Sequence, residues 1–313
     1  MATVRVRGAD ALAADALAPI RETLRHMAAR PDIPPLTGIE PGLVVTDPTG
    51  WVRATELVSG EALDDLLDTA ARRWHAAPHA AAALAFKCYS YWLALPAVLG
   101  YATVRRVPLL TPDAVLVRWS DERPFLRLGL APARRVPTGA GRGTSALSVT
   151  VAVLPSDPVL LYGPGRGIRV VPDETSLLDQ LRVAIMDEHL GPILDHIRSR
   201  RHVGRRTLWG SLAAGVAHGL SRAADVIPGS TLQAAQAVLA SLDIADLVEV
   251  EQSPDSPELT VCRRTCCLAF TLPEPQRKVC AGCCIREGAA RNARPAGALG
   301  ETGLVRGRLI PTG

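Results

Sequence analysis

The chain has 313 residues, of which 48% are hydrophobic, and its 35 basic and 31 acidic residues give a formal net charge of +4. This length is sufficient for one large or two ordinary domains with a sizeable core. The charge excess is too small for a protein that follows a phosphate backbone with Lys and Arg, so we expect no nucleic-acid partner.

The N-terminal 25 residues contain no apolar stretch of signal-peptide length and include three acidic residues. We therefore expect a cytoplasmic protein, in which structural disulfides are rare. The most apolar stretch, residues 88–104, contains Pro96 and is followed by two arginines. It predicts a buried core helix and no transmembrane segment. Peripheral contact with the inner face of the membrane is compatible with this interpretation, although no sequence feature favours it.

Helical periodicity predicts three helices in the first third of the chain, over residues 9–29, from Ser59 to about Ala77, and over 79–100. The third is expected to be interrupted or kinked at Pro96. The first two are joined by a stretch rich in Pro and Gly, which predicts an irregular connection.

Three short runs of β-type residues follow within residues 114–154 and predict a small antiparallel sheet with turns between its strands. Helical periodicity returns at Glu174 and predicts two long helices and a shorter one, with Pro192 dividing the first. Two short strands separated by a turn then lead into a group of cysteines. We therefore predict an α+β protein that is predominantly helical, with a small central antiparallel sheet and a cysteine-rich C-terminal segment.

The predicted elements divide the chain into three parts. Residues 1–250 form a helical and β-stranded core, and residues 251–285 form the cysteine-rich segment. Residues 286–313 have low hydrophobicity and many Gly and Arg, a composition that predicts disorder.

Six of the seven cysteines lie between residues 262 and 284. They comprise an adjacent pair, a C-x-x-C motif twelve residues later, and one outlier on each side: Cys266 and Cys267, Cys280 and Cys283, and Cys262 and Cys284. Six clustered thiols match a single catalytic nucleophile poorly. A Cys₄ zinc site is a serious alternative, because C-x-x-C is its usual half-site. Adjacent cysteines in an extended chain point to opposite faces, however, which favours the larger ligand cage of an iron–sulfur cluster.

The segment that contains Arg264, the Cys266-Cys267-Leu268 triplet, Pro273 and the Cys280-x-x-Cys283 motif resembles the FhuF-like ferric-siderophore reductases. Proteins of that family bind a [2Fe–2S] cluster through an unusual adjacent-cysteine motif near the C-terminus. A weaker similarity extends upstream, through "EHLGPILDHIR" and "RRTLWGSLA", so that the resemblance covers about residues 80–284. The twelve-residue spacer is slightly longer than the family form, and two cysteines are additional.

The resemblance implies a [2Fe–2S] cluster with Cys266, Cys267, Cys280 and Cys283 as ligands, and with Cys262 and Cys284 as alternates. It implies an oxidoreductase that transfers one electron to the iron of a ferric siderophore, so that Fe²⁺ is released. Its other partner would be an electron-donor protein of the ferredoxin type. The sequence identifies no catalytic or substrate-binding residue.

Two arginines next to the cysteine pair, Arg263 and Arg264, are predicted to tune the cluster by offsetting the negative charge that grows on reduction. Two other functions remain open at the level of the sequence. One is a binding protein stabilised by a Cys₄ zinc site, and the other is an iron–sulfur electron carrier or sensor that does not reduce siderophores.

Overall fold

The computed structural model of the chain describes residues 15–32, 34–132, 149–162, 167–254, 256–274, 277, 279 and 282–284. The predicted tail 286–313 and Cys280 lie outside these residues, as does the start of the first predicted helix. The fold is α+β with 50% helix and three small sheets.

The N-terminal part contains four helices and two short strands in the order α1, β1, β2, α2, α3, α4: Ala18–Ala29, Ile39–Val44, Val52–Arg53, Ala54–Val58, Leu63–Trp74 and Pro78–Val104. The apolar stripe predicted for the second helix is buried in α3. Its predicted start was wrong, because Ser59 is the C-cap of the separate short helix α2.

Helix α4 is the central core element. It continues through Pro96, so the predicted interruption is wrong. Its side chains are apolar all round, which requires cover on every side. Among the described residues α4 is the one helix long and apolar enough to cross a membrane, and 89% of its most apolar window is buried inside the protein. This burial matches the prediction of a core helix.

The predicted single antiparallel sheet is replaced by two mixed sheets. The strands that follow α4 are β3 to β7: Arg106–Leu109, Val115–Trp119, Leu126–Leu130, Thr150–Val153 and Ile168–Val170. One sheet has the order β1-β5-β4-β2 and the other β3-β6-β7, with the β1–β5 and β6–β7 pairs parallel. The run that was predicted to extend the β4–β5 hairpin instead pairs with β3, directly after α4.

The C-terminal half is helical and ends in a hairpin. Helix α5 runs into a π-helix, which is followed by α6, α7 and α8: Glu174–Arg182, Val183–Leu190, Gly191–Arg200, Arg205–Arg222 and Thr231–Ser241. The predicted long helix is therefore divided by a π-helix, which ends just before Pro192. Strands β8 and β9, Val248–Gln252 and Leu259–Arg263, form the predicted antiparallel pair.

A buried tyrosine–histidine pair joins α4 to the π-helix. His189 is fully buried, and its Nδ1 donates to the carbonyl of Leu110 at 2.7 Å. Its Nε2 is therefore the unprotonated nitrogen and accepts from the hydroxyl of Tyr89 at 2.5 Å. Burial lowers the pKa of His189 to about 4, against the opposing hydrogen bond to Leu110. His189 is neutral at physiological pH, and its two hydrogen bonds hold the π-helix against α4 and the end of β3.

This pair predicts a loss of stability in acid. The folded pKa of about 4 lies below the ordinary value of 6.5, so the unfolded chain takes up a proton between these values that folded His189 does not. The free energy of unfolding should fall as the pH decreases from 6.5 to 4, by roughly 3 kcal/mol from this residue. Urea unfolding across this range should show a flatter pH dependence for His189→Gln, and an equal slope in both proteins would contradict the assignment.

Candidate functional site

The cysteine segment is attached to the free side of β9. The backbone N–H of Arg263 donates to the carbonyl of Gly282 at 2.8 Å, so the chain around residue 282 runs beside the strand. A Cβ atom at Gly282 would lie 1.9 Å from the carbonyl oxygen of Val261. Because that neighbour is backbone, only glycine allows this approach. The Gly in "AGCC" thus places the last two cysteines against the β8–β9 hairpin.

The first cysteine pair is positioned by α7. A Cβ atom at Gly210 would lie 1.8 Å from Oγ1 of Thr265, so Thr265 sits directly on the helix backbone. The backbone N–H of Arg264 also donates to the carbonyl of Leu247 at 3.0 Å. The turn that carries Cys266 and Cys267 is therefore held between the start of α7 and the strand pair.

The cysteines differ in exposure. Cys267 and Cys283 are buried, with 4% and 5% of their surface exposed, and both belong to the main hydrophobic core. Cys266 and Cys284 are partly buried, and all the described cysteines are thiols. The backbone N–H of Leu268 donates to Sγ of Cys266 at 3.3 Å. Such N–H···S bonds stabilise a thiolate and are typical of the surroundings of thiolate-ligated metals.

Three of these thiols interact electrostatically. Burial raises the pKa of the Cys284 thiol, and the nearby Cys266 and Cys267 raise it further, while Arg263 lowers it. Cys284, which the spacing made an alternate, therefore lies within electrostatic range of the adjacent pair. No three His, Cys, Asp or Glu side chains in the described part of the chain are close enough together to hold a single metal ion.

The remaining predicted ligands have separate positions. Cys280 lies outside the described residues, so its contribution stays a prediction. Cys262 is opposite Glu249 in the β8–β9 pair. Because side chains alternate along a strand, it points to the opposite face of β9 from Arg263.

The two predicted tuning residues have different surroundings. Arg263 is 5% exposed, and its guanidinium donates to the hydroxyl of Ser211 at 3.0 Å and to the carbonyl of Thr265 at 3.1 Å. Its Nη1 is buried without a hydrogen-bond partner among the described residues. Arg264 is about half exposed and pairs with Glu249 at 3.1 Å. The positive charge of Arg264 is balanced by a carboxylate, whereas the two groups to which the Arg263 guanidinium donates are neutral.

The donor chemistry fits a thiolate-ligated group. Soft thiol ligands, an N–H···S bond to Cys266 and the buried guanidinium of Arg263 are the features that stabilise an anionic iron–sulfur or zinc–thiolate centre. The unpartnered Nη1 of Arg263 provides a donor for such an anion. Both kinds of centre remain compatible with these residues.

A cavity of about 730 Å³ lies at the start of α7, with a wall that includes Arg182, Asp187, Arg205 and Trp209. Trp209 also stacks edge-to-face on Phe86 with ring centroids 5.9 Å apart, so this tryptophan belongs both to the core and to the cavity wall. The mixed charges of the wall do not favour one class of ligand.

Three cationic or titratable residues near the site were missed in the sequence: Lys87, His218 and Arg222. Lys87 is one of only two lysines in the chain and lies in an otherwise apolar helix, which was a usable signal. The positions of His218 and Arg222 depend on how α7 packs against α4, which sequence periodicity does not define.

Neither a scan against protein-family models nor a search of curated proteins found a match to this chain. The case for function therefore depends on the residues themselves and on the resemblance in the cysteine motif.

Substitution of Gly210 should loosen the cysteine segment. In Gly210→Ala the new methyl group would overlap the Thr265 side chain, whose Oγ1 is buried, so we expect a loss of about 1–3 kcal/mol in the free energy of unfolding. Cys267 should then react faster with Ellman's reagent in the folded protein. Gly204→Ala is the matched control, because its Cβ would meet nothing nearer than Oγ1 of Thr207 at 3.8 Å. Equal thiol reactivity in the two variants would refute the docking role of Gly210.

Proposed function

We propose that the chain is a cytoplasmic ferric-siderophore reductase that carries a [2Fe–2S] cluster on Cys266, Cys267, Cys280 and Cys283. The observation that carries this proposal is that the buried Arg263 joins the two halves of the cysteine segment. Its guanidinium donates to the carbonyl of Thr265, directly before Cys266, and its backbone N–H donates to the carbonyl of Gly282, directly before Cys283.

The surroundings of the thiols suit a redox centre. The [2Fe–2S] cluster supplies one-electron transfer when it is bound. Arg263 places a positive charge where negative charge increases on reduction, and the N–H of Leu268 stabilises thiolate at Cys266. Cys266 and Cys284 are partly exposed, so electrons can enter and leave near the protein surface.

The substrate side of the proposal follows from coordination chemistry. A siderophore surrounds Fe³⁺ with hard oxygen donors, and the same ligands hold the less charged Fe²⁺ much more weakly. Transfer of one electron to the chelated iron therefore releases it, and no covalent bond needs to be made by the protein. The role of this chain is to bring its reduced centre close to the chelate.

The electrons are expected to come from another protein, such as a ferredoxin. The glycine-rich residues 163–167 are followed by strand β7, Ile168–Val170, and not by the helix N-terminus that a dinucleotide site uses. This arrangement favours an external donor over a bound nicotinamide or flavin.

Two alternatives make different predictions about the metal. A Cys₄ zinc site would hold one colourless ion and serve binding, with no electron transfer. An iron–sulfur electron carrier or sensor would hold the cluster but would not reduce ferric chelates. Metal analysis separates the first alternative from the proposal, and an electron-transfer assay separates the second.

The cluster and its ligands can be tested together. Protein purified without oxygen should contain two irons and two sulfides per chain, with an EPR signal that appears only on reduction with dithionite. Serine at Cys266, Cys267, Cys280 or Cys283 should abolish this signal, whereas Cys88→Ser, a buried thiol in α4, should retain it. Loss with Cys284→Ser but not with Cys283→Ser would make Cys284 the fourth ligand. One zinc and no colour would end the reductase proposal.

The two arginines provide a matched pair for tuning. Arg263→Gln removes a buried positive charge near the thiols, so the reduced state loses stabilisation and the midpoint potential should fall, by an amount of the order of 60 mV. Arg264→Gln removes an exposed charge already paired with Glu249 and should change the potential much less. Redox titration followed by EPR measures the midpoint potential of each variant. An unchanged potential in Arg263→Gln would contradict the tuning role of Arg263.

A further inference from the structure

Beside the cysteine segment, where α4 packs against α7, a line of partly exposed residues reaches the surface. We define the α4–α7 groove by five of them: Lys87, Tyr91, Gly215, His218 and Arg222. Those from α7 are three, four and seven residues apart and share one helix face. Because Gly215 has no side chain, its Cα approaches Tyr91, and a Cβ there would be 3.3 Å from the ring.

Arg263 continues the groove toward the thiols. Its guanidinium donates to Ser211, which lies one helical turn before Gly215 on the same face of α7. The positive charges of Arg263, Lys87 and Arg222 all act on His218. Lys87 lies one turn before Tyr91 on α4, and Arg222 donates to the hydroxyl of Tyr91, so basic side chains of α4, α7 and β9 follow this line of contact.

These cations have no carboxylate partners among the described residues. Arg222 donates to the hydroxyl of Tyr91 at 2.6 Å and to a backbone carbonyl, and Arg263 donates to a hydroxyl and a carbonyl. Lys87 forms no ion pair within the same part of the chain. Nε of Arg222 and Nη1 of Arg263 are buried without a hydrogen-bond partner there. Uncompensated positive charge at a partly desolvated place is unfavourable unless an anion joins it.

The charge state of His218 supports the same conclusion. Burial lowers the pKa of His218 to about 4, and the charges of Lys87, Arg263 and Arg222 lower it further in that order. His218 is therefore neutral at physiological pH and can donate one N–H to a ligand. Burial is the largest cause of this shift, and the three neighbouring positive charges that add to it would also attract an anion.

We propose that the α4–α7 groove binds a polyanionic ligand through carboxylate or phosphate oxygens, with Lys87, Arg222 and Arg263 as its charged contacts. The unpartnered Nε of Arg222 is an N–H donor that suits these oxygens, and Lys87 adds a mobile point charge. Arg263, which is more than nine-tenths buried and held by Ser211 and Thr265, adds a fixed positive charge at the inner end of the groove.

We infer that the polyanionic ligand is a ferric chelate, and this inference rests on the proposed function. Ser211 and Arg222 are eleven residues apart on α7, which corresponds to about 16 Å along the helix. A ferric chelate held at Lys87 and Arg222 would therefore lie within that length of the thiols near Arg263. The groove would select chelates that carry net negative charge, such as polycarboxylates, over neutral ones.

Binding is tested first without iron, using citrate and inorganic phosphate in calorimetric titrations of the purified full chain. Lys87→Gln should weaken citrate binding about tenfold or more, and Lys87→Arg should restore most of it. Arg25→Gln is the control, because Arg25 is 67% exposed and pairs with Glu22 outside the groove. Equal citrate affinity in wild type and Lys87→Gln, or no binding of either anion, would overturn the proposal.

The Tm of Lys87→Gln provides a second test, because its change would differ if Lys87 had only a structural role. Removing an uncompensated cation should raise the Tm of Lys87→Gln above that of wild type in buffer free of oxyanions. Added citrate should raise the Tm of wild type but barely change that of the variant. A lower Tm in Lys87→Gln together with an unchanged response to citrate would count against the site.

The chelate step is tested last, by comparing electron transfer from the reduced protein to ferric citrate and to a neutral ferric trihydroxamate. Lys87→Gln should slow reduction of ferric citrate selectively. If the protein holds no cluster but binds citrate through Lys87, the groove stands and the reductase proposal fails. If the cluster is present and citrate does not bind, the groove proposal fails and the reductase proposal is untouched.

Discussion

The packing of α7 against α4 is the interaction on which the rest of the molecule depends. Helix α4 is apolar on every side and is stable in water only when other elements enclose it. Helix α7 covers it closely because glycines at 215 and 219 remove side chains from the contact, where a Cβ would lie 3.3 Å from Tyr91 and 2.8 Å from Leu95. The same helix uses Gly210 to receive the cysteine segment. One helix therefore connects the hydrophobic core to the candidate redox site.

Local sequence patterns predicted where the helices and strands lie better than they predicted which strands pair with one another. The stripe in α3, the buried helix α4 and the β8–β9 pair all follow from spacing within a few residues. The run containing β6 has the right residues for a strand, but its pairing with β3 and β7 depends on contacts across distant segments. The π-helix Val183–Leu190 likewise leaves no clear periodic signal in the sequence, because it differs from an α-helix in hydrogen-bond spacing and not in residue type.

The candidate site shows the same limit at the level of single residues. The cysteine spacing indicated a metal centre but could not show that Cys284 lies within electrostatic range of Cys266 and Cys267. Arg263 and Arg264 are equivalent in the sequence, yet strand alternation buries the first and leaves the second paired at the surface. Which of two neighbouring arginines lies inside depends on the register of β9, and that register is set by its pairing with β8.

The close contact between Gly282 and β9 has a consequence for the metal-free protein. An edge strand with exposed N–H and C=O groups is a template for pairing with another chain. In this structure the backbone around Gly282 covers part of that edge, since its carbonyl accepts the N–H of Arg263. If cysteines on both sides of this contact bind one metal centre, as proposed, that centre would hold the cover in place. Its loss would then favour pairing of β9 with a second copy of the chain.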